Sequence, residues 1–252
     1  MTFDQAESQI RCEWGLRGMK ELSPISDVLI IVDILSFTTA VDIATSRGGI
    51  IHPYPLKDAS AAAYAESLGA TLAAASRGSG FSLSPASLLS MPSGHRLVLP
   101  SPNGAALSFA ANRPIVLAAC LRNAEAVAQM AARLGSTFAV IPAGETWNTG
   151  ELRPALEDLI GAGAVITSLP GSRSPEATVA AAAFDRFRNN LPAAIGHSSS
   201  GKELIERGFA ADVDLAAEWN VSQNAPSLLD RAFTSIEIER RPPLLRPRTM
   251  NH

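Results

Sequence analysis

The sequence predicts an α/β protein with a three-layer α/β/α architecture around a largely parallel or mixed central sheet. Three observations carry that expectation. The short unbroken apolar run 28–32 has the length and β-branched content of a strand covered on both faces, and further short strand-like runs such as 137–141 recur along the chain. Alanine-rich stretches with helical start and stop signals alternate with them, as in parallel-sheet proteins. Hydrophobic residues make up 46% of the 252 and aromatics only 6%, so Ala, Val, Leu and Ile must fill a sizeable core.

Residues 10–16 read as a first strand, with Trp14 as a core or edge anchor. The run 28–32 is the central one. Asp33 ends it, Ser36, Thr38 and Thr39 follow, and 40–44 read as the apolar stripe of a short helix closed by Gly48 and Gly49. A carboxylate at the carboxyl end of a parallel strand lies where open α/β sheets place their sites, and it can hold a hard cation. The competing reading is that Asp33 caps the helix while Thr38 and Thr39 bond their own backbone.

Residues 50–54 form the next strand, 57–68 a helix closed by Gly69, and 71–75 a further strand. The Gly/Ser/Pro-rich segment 77–92 is a functional or lid-like loop. Strand 95–99 runs into Ser101, Pro102, Asn103 and Gly104 before helix 105–111. That turn either binds a phosphate oxygen or is a capped tight turn. Strand 114–119 ends at Arg122 and Asn123 before helix 124–134, and Arg122 either pairs with an anion or is solvated. Strand 137–141 leads to Glu145, a second carboxylate at a strand's carboxyl edge.

Helix 154–166 opens with Glu157 and Asp158 and is otherwise apolar. Two adjacent carboxylates at the start of a buried helix imply a cation or an arginine nearby, because burying either without a partner is costly. Helix 174–187 is structural. Segment 189–200 reads as a polar turn with His197 on the surface. Ser200 and Gly201 stand at the start of helix 202–207 beside Lys202, a further anion-binding arrangement. Residues 210–218 form another helix, 225–233 a closing turn with a short helix, and 235–239 a last strand. The domain spans 1–239, in one or two lobes, and 240–252 is a tail.

A net charge of −3 without a basic stripe argues against nucleic acid as a partner. No apolar run approaches the ~20 residues needed to span a membrane, and residues 1–10 lack a signal-peptide core. Cys12 and Cys120 fit buried thiols in a reducing compartment, so a cytoplasmic protein is expected.

Taken in order, VDILSFTTAVDIA, LPSPNGAAL, LRNAEAVA, VIPAGE, ALEDLIGAGAVI, SPEATVAAAAF and SSGKELIERGFAADVDLAAE resemble the 2-phosphosulfolactate phosphatases, from about residue 28 to 233. The resemblance implies a magnesium-dependent phosphatase that cleaves 2-phospho-3-sulfolactate to 3-sulfolactate and phosphate on the route to coenzyme M, with a homodimer as the family-level expectation. It implies that Asp33, Glu145 and Asp158 approach one Mg²⁺, with Glu157 as an alternate ligand or base. Ser101, Asn103, Gly104, Arg122, Asn123, Ser200 and Gly201 would then hold the substrate's phosphate or acid groups. Two departures bear on the substrate. The family's Arg-Ala-Thr-Thr is here Ser36, Phe37, Thr38, Thr39, so an arginine is missing unless Arg77 or Arg122 replaces it. The family's Asn-Ser-Pro loop is blurred at residues 81–85. The alternatives are a family member that binds a small anion without turnover, or a phosphatase for another phosphomonoester. Haloacid-dehalogenase chemistry needs a second Asp where Leu35 stands, and is set aside.

Overall fold

A computed structural model describes residues 3–112 and 115–235. The chain lays down β1 (Ile10–Cys12), α1 (Gly15–Leu22), β2 (Val28–Val32), α2 (Phe37–Ser46), β3 (Ile50–Tyr54), α3 (Ala59–Ser67), β4 (Thr71–Leu72) and β5 (Arg96–Pro100). It continues through α4 (Gly104–Ala110), β6 (Val116–Ala119), α5 (Ala124–Leu134), β7 (Phe138–Pro142), β8 (Glu145–Thr146) and β9 (Leu152–Arg153). Five helices follow, α6 (Leu156–Ser168), α7 (Pro175–Phe187), α8 (Leu191–Gly196), α9 (Ser199–Glu206) and α10 (Ala210–Ala217), and then the strands β10 (Pro226–Leu229) and β11 (Ala232–Ser235).

Nine strands make one mixed sheet in the order β1-β7-β2-β6-β10-β11-β3-β5-β4, and β8 pairs with β9 in a separate hairpin. The sheet is two parallel blocks, β1-β7-β2-β6 and β3-β5-β4, joined by an antiparallel hairpin. The strand period of two decides which helices cover which face. In β2, Val28, Ile30 and Val32 pack with residues of α5, α6 and α7, whereas Leu29 and Ile31 pack with Met19 and Leu22 of α1 and Leu107 of α4. All five residues of β2 are buried, as a run apolar on both faces requires. The three-layer expectation holds, and the sheet is mixed rather than wholly parallel.

Several boundaries depart from the sequence expectation. The first strand stops at Cys12, because Gly15 at φ +58° turns the chain directly into α1. Residues 71–75 contribute only Thr71–Leu72 to the sheet. Residues 191–196 are helical rather than a polar turn, with Pro192 in the first turn and Leu191 and Ile195 buried. Residues 225–233 form no helix. They are the hairpin β10–β11, turned through Asp230 and Arg231, both at positive φ as a two-residue hairpin turn demands. The strand expected over 235–239 and the tail over 240–252 lie outside the described residues beyond Ser235. No described helix is long and apolar enough to cross a membrane.

Candidate active site

The carboxyl ends of β2, β5 and β7 deliver side chains to one cleft of about 180 Å³. Asp33 follows β2 directly and is buried. Its Oδ2 accepts the Gly104 N–H at 2.7 Å and its Oδ1 the Phe37 N–H at 3.4 Å, so both α4 and α2 aim their first amides at it. Gly104 has to be glycine here, since a Cβ would lie 2.6 Å from Phe37 Cδ1 and 2.7 Å from Asp33 Oδ2. Thr38 Oγ1 donates to the Asp33 carbonyl at 2.7 Å and Thr39 Oγ1 to the Ile34 carbonyl at 2.8 Å. The two threonines thus do the backbone work of the plainer reading and leave the carboxylate to the cleft.

Glu145 opens β8 and lines the same cleft. Its Oε2 accepts Asn103 Nδ2–H at 2.9 Å, which orients the carboxylate. Asn103 in turn is held by its N–H donating to Ser101 Oγ at 3.3 Å. Asp158, in the first turn of α6, takes the Ile34 N–H on one oxygen and the Gly144 N–H on the other, both at 2.9 Å. It is a clamp between the loops after β2 and β7, and neither it nor Glu157 reaches the cleft wall. Glu157 is buried behind them.

The electrostatics follow from gathering four acids, three of them buried and Glu145 half-buried. Burial pushes Asp33 up to about 6; amides of Gly104 and Phe37 and the charge of Arg77 pull it down, and Glu157 adds repulsion. Glu145 rises to about 7, from burial first and the Asp33 charge second. Asp158 sits well above the usual carboxylate range for the same two reasons, burial leading. Among the described residues, no arginine or lysine forms an ion pair with any of the four. Nor do three or more Asp, Glu, His or Cys side chains stand together as a ready-made metal cage among them.

Cations line the same cleft. Lys57, Arg77 and Arg207 share its lining with Ser36, Ser101, Ser200 and Glu203, and Arg207 Nη1 pairs with Glu203 Oε1 at 3.0 Å. Lys57 is pushed below its usual range by burial and then by Arg77, with Asp33 and Glu145 acting the other way. Arg77 is held in place: Nη2 donates to Ser36 Oγ at 2.7 Å, and Nη1 pairs with buried Asp212 of α10. Asp212 also accepts Ser84 Oγ–H and the Ala86 N–H at 3.1 Å, so the 77–92 loop is pinned rather than lid-like. A guanidinium therefore stands beside Ser36, where an arginine was missed in the sequence.

Asp33, Ser101, Asn103, Gly104, Glu145 and Ser200 are brought together, with Glu157 and Asp158 packed behind. Three of the expected ligand-binding residues are not. Arg122 is committed to buried Asp42, Nε to Oδ2 at 3.2 Å, and to Glu218. Asn123 is buried, its Oδ1 accepting the Cys120 N–H at 2.8 Å, which makes it a cap. The Gly201 N–H donates to Ser198 Oγ at 3.0 Å, and a Cβ there would lie 2.0 Å from the Ile195 carbonyl oxygen, so this glycine serves helix packing. Sequence reasoning missed Lys57, Arg207 and Asp212. Lys57 alone carried a signal, as a cation just beyond the carboxyl end of β3. Cys12 and Cys120 are buried thiols pushed up to about 12 and are no nucleophiles at neutral pH.

The 2-phosphosulpholactate phosphatase family model matches residues 18–230. A 2-phosphosulfolactate phosphatase of Methanothermobacter thermautotrophicus is 30% identical over 148 residues, 59% of this chain and 62% of the relative. A probable 2-phosphosulfolactate phosphatase of Carboxydothermus hydrogenoformans is 32% identical over 136 residues, 53% of this chain and 55% of the relative. Another of Parasynechococcus marenigrum is 31% identical over 199 residues, 72% of this chain and 80% of the relative. The matched stretch thus spans little more than half the length of some curated relatives and four-fifths of another. A cleft built where the family's motifs meet, and a family match from residue 18 to 230, lead to one conclusion: the chain belongs to the 2-phosphosulpholactate phosphatase family.

Proposed function

We propose that the chain is a magnesium-dependent phosphomonoester hydrolase acting on a small acidic substrate, with 2-phospho-3-sulfolactate, named in its relatives, as the first to test. The observation that carries this reading is one cleft lined by Asp33 and Glu145, neither ion-paired among the described residues, together with Lys57 and with Arg77 and Arg207, which Asp212 and Glu203 hold in place. Mg²⁺ fits the donor set in the form that this ion favours, one or two carboxylates completed by water and substrate phosphate rather than an all-protein cage. Asp33 and Glu145 would hold it; Asp158, with both oxygens on backbone amides, would position the loops that carry them. When bound, the ion neutralises phosphoryl oxygens and lowers the pKa of a coordinated water.

The chain's own groups supply the rest. Asn103 fixes the Glu145 carboxylate, and Gly104 fixes Asp33. Lys57 and Arg77 meet the substrate's acid groups, the guanidinium offering paired donors that suit carboxylate, sulfonate or phosphate. Compartment and oligomeric state belong to the same reading: a soluble cytoplasmic enzyme, dimeric as the family expectation has it. Phosphate release from 2-phospho-3-sulfolactate, measured with Mg²⁺ and with EDTA, is the test. Mg²⁺-dependent release supports the enzyme. Thermal stabilisation by sulfolactate with no release from any phosphomonoester would replace it with an anion binder.

A further inference from the structure

A second cavity, about 150 Å³, adjoins the cleft and shares Lys57 and Leu83 with it. Its character is opposite. Alanines 73–75, Ala61, Leu72 and Pro100 line it, and its one carboxylate, Asp58, already accepts the Ser60 N–H at 2.9 Å as the cap of α3. Such a wall offers water few of the two to four polar partners it needs, so displacing water from it is favourable. Its position is that of a ligand site. Leu72 ends β4 and Pro100 ends β5, so the cavity continues along the same carboxyl edge of the sheet as the cleft. Lys57 and Leu83 line both, so the two cavities meet at these side chains.

We propose that this cavity is a substituent subsite: with the phosphoryl group in the cleft, it takes a short alkyl or aryl group carried by the same phosphomonoester. The inference rests on the phosphatase reading and deepens it. A substrate bearing only acid groups around the phosphate would leave the cavity unfilled, so among phosphomonoesters that the cleft accepts, one with a short apolar arm gains affinity.

Alkylphosphonates, which cannot be hydrolysed, test it by calorimetric titration of the whole chain with Mg²⁺. Affinity is expected to rise about fourfold per methylene from methyl- to butylphosphonate, the increment for moving a methylene out of water. Ala74→Leu fills the cavity and should flatten that series, leaving methylphosphonate within about twofold of wild type. Ala75→Leu, exposed at the mouth, serves as the second variant should the first misfold. A flat series in wild type, or a rise that survives in folded variants, overturns the subsite while leaving the phosphatase reading intact. No binding of methylphosphonate or inorganic phosphate overturns both.

Discussion

Two buried carboxylates, one just before helix α2 and one within it, are treated in opposite ways. Asp42, within the helix, meets Arg122 Nε at 3.2 Å, Ser222 Oγ at 2.7 Å and Asn224 Nδ2 at 3.3 Å. Asp33, just before the helix, meets only backbone amides, and its nearest acidic neighbours repel it. Both acids are costly to bury. The first has that cost offset internally, by a knot tying α2 to the segments around 122 and 222. The second is left with negative charge to spare at the wall of a cleft. A buried acid with its own arginine is committed to the fold, and one held only by amides at the wall of a cleft is available to something from outside.

Substitutions should separate the two. Asp33→Asn keeps the shape and removes the charge, so phosphate release is expected to fall about 10³-fold, roughly 4 kcal/mol of barrier, with Tm unchanged or raised. An equal rate in the variant would place the chemistry elsewhere. Arg122→Met acts in the other direction. It leaves Asp42 buried without its cation, at a cost of about 3 kcal/mol, which lowers Tm by roughly 6–12 °C in a domain of this size. Its kcat on the folded fraction should match wild type. A variant that loses turnover but not stability would show that Arg122 serves the substrate after all.

Between these lies Gly104→Ala. The added methyl would press on Phe37 Cδ1 and Asp33 Oδ2, and must shift one or both. Displacing a reacting group by about 1 Å costs on the order of 10²-fold in rate, while overpacking costs about 1–3 kcal/mol of stability. Activity should therefore fall further than stability does. A Tm loss with normal turnover would mean that Asp33 tolerates displacement and that its exact seat is unimportant.

The same contrast explains what could be read from the sequence. Residues 28–46 were legible because the signals are local: an apolar run, an acid, hydroxyls, an apolar stripe. Glu145 was legible for the same reason, and so was the capped helix α7. Arg122 was misjudged because an arginine at a helix start looks the same whether it awaits a ligand or meets Asp42, 80 positions away. The β10–β11 hairpin was missed for a related reason. Its turn, Asp230-Arg231, lacks the glycine that usually marks such a bend, and its strands are held by β6 and β3, both distant in sequence. Lys57 and Asp212 acquire meaning only through Asp33 and Arg77, and pairwise meaning of that kind is carried by the fold.

The smallest expected effect is one of pH on the metal-free protein. Asp33 stands at about 6 against an ordinary 3.8, and Glu145 at about 7 against 4.5. Both acids are raised, so between these limits the folded chain keeps protons that the unfolded chain has released. Folding stability then falls as pH rises from about 4 to 7, and the loss is complete above it. Between pH 5 and pH 8, with half-buried Glu145 discounted for the water that reaches it, the two acids account for on the order of 2 kcal/mol, or about 4–8 °C. In EDTA, Tm should thus decline from pH 5 to pH 8, and the Asp33→Asn, Glu145→Gln double variant should flatten the decline. Asp42 and the buried pair Glu157 and Asp158 are unaltered in that variant, so the difference between the two curves isolates the cleft. Mg²⁺ added at pH 8 should restore stability to wild type and not to the double variant, by mass action on the folded state. A decline that the double variant retains in full would move the unsatisfied charge away from the cleft, and with it the distinction between the two carboxylates.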